Sequence, residues 1–455
     1  MRHQPPRDDQ SGAADQSELA DPVERDALSG EVEEAHVDGS HPVVSGTARA
    51  AFAHRTFRTV FLGAFASNIG TWMQNVVLGA LAYSLTGSAV FVGVMTAAQL
   101  GPLLLFSMVG GMLADAFDRR KLLIALSVQQ SVFSILLAVV TLADDPNRYA
   151  MVTVVVFIGI GNALYAPIFG AVVPVLVPRR DMAGAIALNS VQMNTARVVG
   201  PAIGTTIYAA FGPSWVFTLN AVSFAFVILS LSRVTLPPPP VSGNQGLHRI
   251  LEGFREARHN RVVGQSILTI FVFSFLCLPF ITQMPTIASG HLNIDPKSSA
   301  YGALYACFGL GAVLGALSIG TVFAQAPKPR LTRTGLVAFA MLLVTFGSLR
   351  VAPPAYLVIL LLGSAYFAVV TSLSTVLQEG LDDRVRGKVM ALWIMGFGGT
   401  APFGGLTGGW AMEQIGILPV LVLGGAVAVA LALWFDYLPE RHPPILTELG
   451  EVPDR

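Results

Sequence analysis

The sequence predicts an all-α integral membrane protein with twelve transmembrane helices in two six-helix pseudo-repeats. Three observations lead to this fold class. The chain of 455 residues is 53% hydrophobic and only 12% charged, which is about half the charge of an ordinary soluble domain. Apolar segments of roughly 20 residues, long enough to cross a bilayer, recur almost without interruption after residue 56. The chain also repeats its own pattern, six segments against six.

The predicted spans are separated by short turn-like breaks, such as Thr86–Gly87 and Phe211–Gly212–Pro213. They lie at 57–83, 88–113, 121–143, 150–176, 184–209, 213–233, 263–288, 299–324, 331–350, 354–378, 388–412 and 416–437.

The distribution of Lys and Arg predicts the orientation of these spans. The loops after odd-numbered spans carry only Arg148, Lys297 and Arg350. The loops after even-numbered spans carry Arg119, Arg120, Lys121, Arg179, Arg180, Arg249, Arg255, Arg258, Arg261, Lys328, Arg330, Arg333, Arg384, Arg386 and Lys388. We therefore expect both termini to be cytoplasmic, in a multi-pass protein of a bacterial inner membrane.

The polar segments divide the chain further. Residues 1–55 are rich in Asp and Glu and are expected to form a disordered acidic cytoplasmic tail, and 439–455 form a second cytoplasmic tail. The six-helix halves are predicted at 56–235 and 263–438. The central loop, 236–262, contains an amphipathic pattern that favours an interfacial helix, with a partner-binding helix as the alternative.

An internal repeat supports the division into halves. The approach to the fifth span, ending in Gly184, resembles the approach to the eleventh, ending in Gly387, and each span then contains a Pro among glycines, Pro201 and Pro402. Two parallel halves with a site between them are typical of transporters. A duplicated scaffold would show the same repeat, so the pattern supports the fold more than the activity.

The loop after the second span carries the most specific motif. Gly111, Asp115, Arg119 and Arg120 match a pattern that resembles the signature loop of the major facilitator superfamily, whereas Ala116 and Asp118 depart from it. The resemblance implies that Asp115 and the basic residues hold the halves together when the protein faces outward. We expect Asp115 to face the start of the eleventh span, near Arg384 and Arg386. The alternative is that the basic residues serve only to set orientation.

Further motifs narrow the resemblance to one branch of the superfamily. They include Asn68 to Asn75 in the first span, Ala187 to Ser190 and Arg197 to Pro201 in the fifth, and Arg384 to Met390 before the eleventh. Together they look like the branch that contains enterobactin exporters and macrolide-efflux-like proteins, over about residues 56–437. The resemblance implies export, coupled to the proton gradient, of a small amphipathic organic molecule such as a siderophore or a drug-like compound.

Arg197 is the one charge deep within a predicted span, ~14 Å along it from Leu188 at ~1.5 Å per residue. A buried Arg is costly and marks a functional site by default, so it is expected to bind an anionic or catecholate substrate or to pair with carbonyls near Pro201. Polar and aromatic residues on inward faces complete the predicted cavity, although each could instead bond only to a neighbouring helix. They are Asn68, Trp72, Asn75, Gln99, Asn162, Tyr165 and Gln283.

The sequence disagrees with a simple form of proton coupling. No Asp, Glu or His lies in the middle of a predicted span, where a proton relay is expected. Coupling would then use an acid at a span end, such as Asp115 or Glu379, or the protons of the substrate itself.

Other classes of function are disfavoured. The chain has no nucleotide-binding loop and no metalloprotease, hydrolase or paired-Cys metal motif, so we predict neither an enzyme nor a cofactor. We expect a monomeric secondary transporter that works by alternating access in the lipid bilayer, binds a small molecule, has protons as candidate coupling ions, and does not bind nucleic acid. The alternative function is a sensor or scaffold that resembles a transporter but moves nothing.

Overall fold

The computed structural model describes residues 44–236, 255, 257–379, 381 and 383–435. Within them the chain forms helices and short connections, which confirms the all-α fold. In the first half the helices are α1 (Ala48–Ala53), α2 (Arg55–Thr86), α3 (Ala89–Leu100), α4 (Pro102–Ala116), α5 (Arg119–Val140), α6 (Arg148–Val172), α7 (Met182–Phe211) and α8 (Pro213–Ser232). In the second half they are α9 (Arg261–Val272), α10 (Pro279–Thr282), α11 (Met284–Leu292), α12 (Ser299–Gly320), α13 (Lys328–Ser348), α14 (Ala352–Glu379), α15 (Asp383–Ile394), α16 (Ala401–Ile415) and α17 (Ile417–Trp434).

Nine helical segments of the described chain are long and apolar enough to cross a membrane. The predicted count of twelve depends on three further segments: α2, α7 and the segment formed by α15 and α16. These three contain the amides of the first span, Arg197 and the glycine-rich stretch of the eleventh. Their polar residues and glycines explain why they are less apolar, and their lengths match those of the neighbouring spans.

Several predicted spans are interrupted rather than continuous. The second divides at Gly101, because Pro102 has no N–H with which to continue the helical hydrogen bonding. In the seventh and eleventh spans, π-helical turns at Phe273–Cys277 and Met395–Gly399 follow α9 and α15. π-Turns of this kind are frequent at functional sites.

The two halves repeat a turn that only glycine adopts readily. Gly212 joins α7 to α8 with φ 86°, and Gly416 joins α16 to α17 with φ 91°. Both lie in the left-handed region, where a Cβ would be strained. The corresponding turns support the internal repeat predicted from the sequence.

Within the first half, a buried polar network ties three helices together. Gln74 Oε1 accepts hydrogen bonds from Ser134 Oγ at 3.1 Å and Asn220 Nδ2 at 2.9 Å. The three residues come from α2, α5 and α8 and are no more than 1% exposed. In lipid such amides must find partners inside the protein, so this network fixes the packing of the half.

The segment just before the first span differs from the predicted tail. Residues 44–54 include α1 and pack against the start of α7, and we call them the strap. Gly46 N–H donates to Asp181 Oδ1 at 2.9 Å, and His54 Nε2 lies 2.8 Å from Asp181 Oδ2. Burial opposes ionisation of Asp181, but these two hydrogen bonds and the positive charges of His54 and Arg180 outweigh it and hold the pKa of Asp181 below its ordinary value.

Candidate functional site

The two halves touch at one end of the bundle, which we call the closed end, along α3 with α16 and α7 with α12. Glycines permit the close approach: a Cβ on Gly93 would lie 2.6 Å from Leu406 Cα, and one on Gly302 would lie 3.0 Å from Pro201 O. Backbone contacts this short leave no room for a ligand between the helices.

A carboxylate joins the halves at the rim of the closed end. Glu413 Oε1, on α16, accepts hydrogen bonds from Ser88 Oγ at 2.6 Å and from Val90 N–H at 3.0 Å. These donors belong to the first turn of α3, where free N–H groups and the helix dipole favour an anion. Glu413 therefore caps a helix of the opposite half.

At the other end, which carries the Asp115 loop and is called the loop end here, the halves separate. Ile186 and Met193 of α7 are 50% and 46% exposed, although they lie on the same helical face as Arg197, which is turned toward the second half. Along α4, contact with the second half reaches Leu104, next to Gly399, whereas Gly111 has no atom near its Cβ position. A cleft open at the loop end results.

Arg197 lies at the apex of this cleft, where contact between the halves begins. Its backbone carbonyl would be 3.2 Å from a Cβ on Gly309 of α12. Its Cζ is 5.0 Å from the ring centroid of Trp72 and 4.8 Å from that of Phe367. The guanidinium is thus stacked between α2 of its own half and α14 of the other, and we call this arrangement the Trp72–Arg197–Phe367 stack.

The charge of Arg197 is not neutralised by an acid. Within the described part of the chain no Asp or Glu carboxylate lies within 4.0 Å of it, and its polar side-chain contact is Asn194 Oδ1 at 3.4 Å. Cation–π contacts stabilise a cation in a partly desolvated site by about 0.5–2 kcal/mol, yet they leave its net charge in place. The edge of the guanidinium can therefore bind an anionic or electron-rich group.

Aromatic rings of the second half pack behind the stack, where Tyr366 is buried in the hydrophobic core. Tyr366 packs against Phe367 with ring centroids 4.9 Å apart and an interplanar angle of 87°, and against Phe397 at 6.4 Å and 16°. Sequence reasoning misses Phe367, Tyr366 and Phe397, since an aromatic residue in an apolar span is ordinary core material. The Tyr366–Phe367 pair between small residues is the one signal that the sequence offers.

The structure brings some predicted cavity residues together and separates others. Trp72 and Arg197 are in contact, and Gln99 Nε2 donates to Asn75 Oδ1 between α2 and α3. Asn68 and Asn162 are half-buried. Tyr165 stacks on Phe169 with ring centroids 5.5 Å apart, against the hydrophobic cluster at the loop end of the first half.

Gln283 does not line the cleft in this conformation, and its predicted role in the cavity stays a prediction. It is fully buried, and Nε2 donates to Ala89 O and Gly405 O, both at 2.9 Å, while Oε1 accepts from Thr286 Oγ1. The side chain lies inside the closed end because the break between α10 and α11 turns it toward α3. Its amide holds the halves together and has no free group for a ligand.

The predicted gating loop is braced within its own half. Asp115 lies 3.7 Å from Arg119, and Arg119 Nε also donates to Ala114 O at 2.9 Å. Arg120 Nη2 donates to Ser232 O at 2.7 Å, and Asp118 caps α5 by accepting from the N–H groups of Arg120 and Lys121.

Among the described residues, the ion pair of Asp115 is with Arg119 of its own half, and none joins it to the eleventh span in this conformation. Arg386 is exposed, and the side chain of Arg384 lies outside the described residues. That the loop latches in another conformation stays a prediction.

Comparison with known proteins agrees with this architecture. The chain is 28% identical over 396 residues to the enterobactin exporter EntS of Shigella boydii serotype 4 (strain Sb227), a match that covers 81% of this chain and 92% of the relative. The same values hold for EntS of Escherichia coli O139:H28 (strain E24377A / ETEC).

Solved transporter structures share the fold at low sequence identity. The nucleoside transporter NupG superposes with a TM-score of 0.67 at 14% identity, covering 84% of this chain and 98% of that one. The POT family transporter PepTSo also gives 0.67 at 14%, covering 84% and 97%. Residues 46–442 match the family described as transmembrane secretion effector. The chain therefore belongs to the transmembrane secretion effector family, within the major facilitator transporters, and is a multi-pass membrane transporter.

Proposed function

We propose that this protein is a secondary active exporter of a small, amphipathic organic anion of the siderophore type. The observation that carries the proposal is the position of Arg197: an unneutralised, ring-stacked guanidinium at the apex of a cleft between two transporter halves. The similarity to enterobactin exporters supports export and the siderophore class. We place the protein in a bacterial inner membrane with both termini cytoplasmic, so that the cleft opens to the cytoplasm.

Transport in this proposal proceeds by alternating access. The substrate enters from the loop end and pairs with Arg197, and the halves then rock so that the closed end opens and the loop end closes. Breaking the closed end separates Glu413 from the first turn of α3. Loss of the Glu413 cap costs α3 little, because Ser88 Oγ accepts a hydrogen bond from Phe91 N–H at 3.2 Å and continues to cap the helix.

We propose that export is linked to protons. The described spans hold no Asp or Glu between their ends, so the proton would bind at a boundary acid such as Asp115 or Glu379, or travel with the substrate. A substrate with weakly acidic hydroxyls could itself exchange protons between the two compartments.

Transport in proteoliposomes tests the proposal. We expect a labelled catecholate to move when a pH gradient is imposed, and Arg197→Ala to reduce its affinity about 10- to 150-fold, since a hydrogen bond to a charged group contributes about 1.5–3 kcal/mol. Arg197→Lys keeps the charge but loses the planar stack, and should fall between the two. The matched control is Arg148→Ala, which removes an exposed cation outside the cleft and the gating loop.

Outcomes that would contradict the proposal are specific. If no catecholate or other organic anion moves in correctly inserted protein, the exporter assignment fails. If transport occurs but Arg197→Ala leaves the affinity unchanged, Arg197 does not hold the substrate. If transport is equal with and without a pH gradient, the proton link is wrong while the export function stands.

A further inference from the structure

Phe367 is the second half's only ring on the Arg197 guanidinium among the described residues. Trp72 belongs to the same half as Arg197 and moves with it, so the Trp72 contact carries no information about the separation of the halves. Phe367 lies on α14, in the other half. One of the two ring contacts of the guanidinium therefore depends on the position of the opposite half, and the other does not.

Along α7, the stack is also the first contact between the halves that a ligand entering from the loop end would reach. On the cleft face of α7, Ile186 and Met193 before Arg197 are exposed, and the residues after it are packed against α12. A ligand that pairs with the edge of the guanidinium must lie beside Phe367. A planar ring on that ligand then competes with the Phe367 ring for contact with the same guanidinium, because both would stack on it from the side of the second half.

Displacement from the guanidinium would not leave the Phe367 ring without a partner. It is half-buried rather than enclosed, and its neighbour Tyr366 presents an aromatic surface that also contacts Phe397. Aromatic pairs prefer such offset or edge-to-face contacts. Moving Phe367 off the guanidinium would thus give up the cation–π contact but could keep the existing contact with Tyr366 within the second half.

We infer that Phe367 is a positioning residue that couples occupation of the site to separation of the halves: an aromatic ring of the substrate replaces Phe367 on Arg197 and so releases the second half. This inference rests on the proposed function. An anion without a ring would bind the edge of the guanidinium but leave Phe367 in place. The site would then select planar aromatic anions at the step of conformational change, in addition to any selection on binding.

Two variants and two probes test the inference. Phe367→Leu removes the ring but keeps an apolar side chain, and Phe367→Tyr keeps the ring. Benzoate and cyclohexanecarboxylate have similar size and charge and differ in aromaticity. Spin labels at Tyr149→Cys and Val351→Cys, which are exposed residues of opposite halves beside the closed end, report the separation of the halves after Cys277 and Cys307 are replaced by Ser.

We expect the labelled wild type to gain a long-distance population with benzoate and to change less with cyclohexanecarboxylate. Without ligand, Phe367→Leu should already raise the ratio of separated to closed molecules about two- to thirtyfold, the range given by one cation–π contact. Benzoate should then add little in this variant. Phe367→Tyr should behave as the wild type does.

The inference is overturned if Phe367→Leu and Phe367→Tyr have the same distances without ligand, or if the two probes act equally on the wild type. The comparison of Phe367→Leu with Phe367→Tyr in the absence of ligand tests the role of Phe367 even when both probes bind weakly. Binding of the two probes to Arg197→Ala distinguishes a failure of the proposed site from a failure of the role inferred for Phe367. Unchanged binding there refutes the proposed site, whereas lost binding together with a wild-type-like Phe367→Leu refutes only the role of Phe367.

Discussion

Individual glycines set how closely the two halves approach. At Gly93 the nearest atoms of the opposite half are backbone atoms of Leu406 and Gly405, and backbone cannot move aside as a flexible side chain can. By contrast, Gly170 on α6 has no atom within 4 Å of its Cβ position. The same residue type therefore has opposite roles at these two positions.

Gly93→Ala is expected to disfavour the closed end by about 1–3 kcal/mol, the usual cost of overpacking. Gly170→Ala is the matched control and should be neutral or stabilising by up to about 1 kcal/mol, because Ala favours the helix. Distances between spin labels on the two halves, together with thermal unfolding midpoints in detergent, measure both effects. Equal shifts for the two variants would show that the Gly93 contact does not hold the halves together.

The sequence reveals Arg197 because a charge among apolar residues is visible without a structure. It does not reveal Phe367, since aromatic residues occur throughout the spans and only the contact with Arg197 distinguishes this one. It places Gln283 in the cavity because a deep amide signals an inward face, but the inward direction at that break in the helix leads to α3 rather than to the cleft.

The Asp181 carboxylate holds the strap against the start of α7. Although burial opposes its charge, Asp181 is ionised because its partners favour the charged form, so its folded-state pKa lies below the ordinary value of about 4. The stability that this carboxylate contributes is complete above the ordinary pKa and is lost as pH falls through the lowered folded-state pKa. The strap should therefore stay docked at neutral pH and release in strong acid.

Asp181→Asn is expected to loosen the strap at neutral pH by about 1–2 kcal/mol, since Asn can accept from Gly46 N–H but cannot pair with the charge of His54. The mobility of a spin label at Val44→Cys, measured from pH 7 down to pH 3, reports docking. The variant should lose the acid-dependent release seen in the wild type. Asp118→Asn is the control and should leave the mobility at Val44 unchanged. Acid release that persists in Asp181→Asn would assign the effect to another group.

The helices and turns can be predicted from the sequence where residue composition determines them. Breaks within helices are harder to predict. Turns at Gly87, Gly212 and Gly416 follow from their sequences. The π-turns of the seventh and eleventh spans do not, because an i to i+5 hydrogen bond leaves no distinct composition. The strap falls within the predicted acidic tail, since α1 is short and gains its stability from contact with α7 rather than from its own sequence.

For the whole molecule, the distribution of Lys and Arg predicts that the cleft opens to the cytoplasm and that the closed end faces outward. A membrane-impermeant thiol reagent applied to intact cells should then label Gln414→Cys at the closed end and not Ser190→Cys in the cleft. Both positions are exposed in the structure. Labelling of Ser190→Cys from outside, without labelling of Gln414→Cys, would reverse the orientation.

The strap, residues 44–54, is connected to the transport site through Asp181 and α7. Asp181 immediately precedes α7, and the 30 residues of α7 form one rod about 45 Å long at ~1.5 Å per residue, with Arg197 near its middle. A tilt of α7 would also move Gly46 and His54, because both are hydrogen-bonded to the Asp181 carboxylate. A fluorophore attached at Val44 would thus move with α7, which makes the strap a suitable attachment point for a biosensor that follows the transport cycle in living cells.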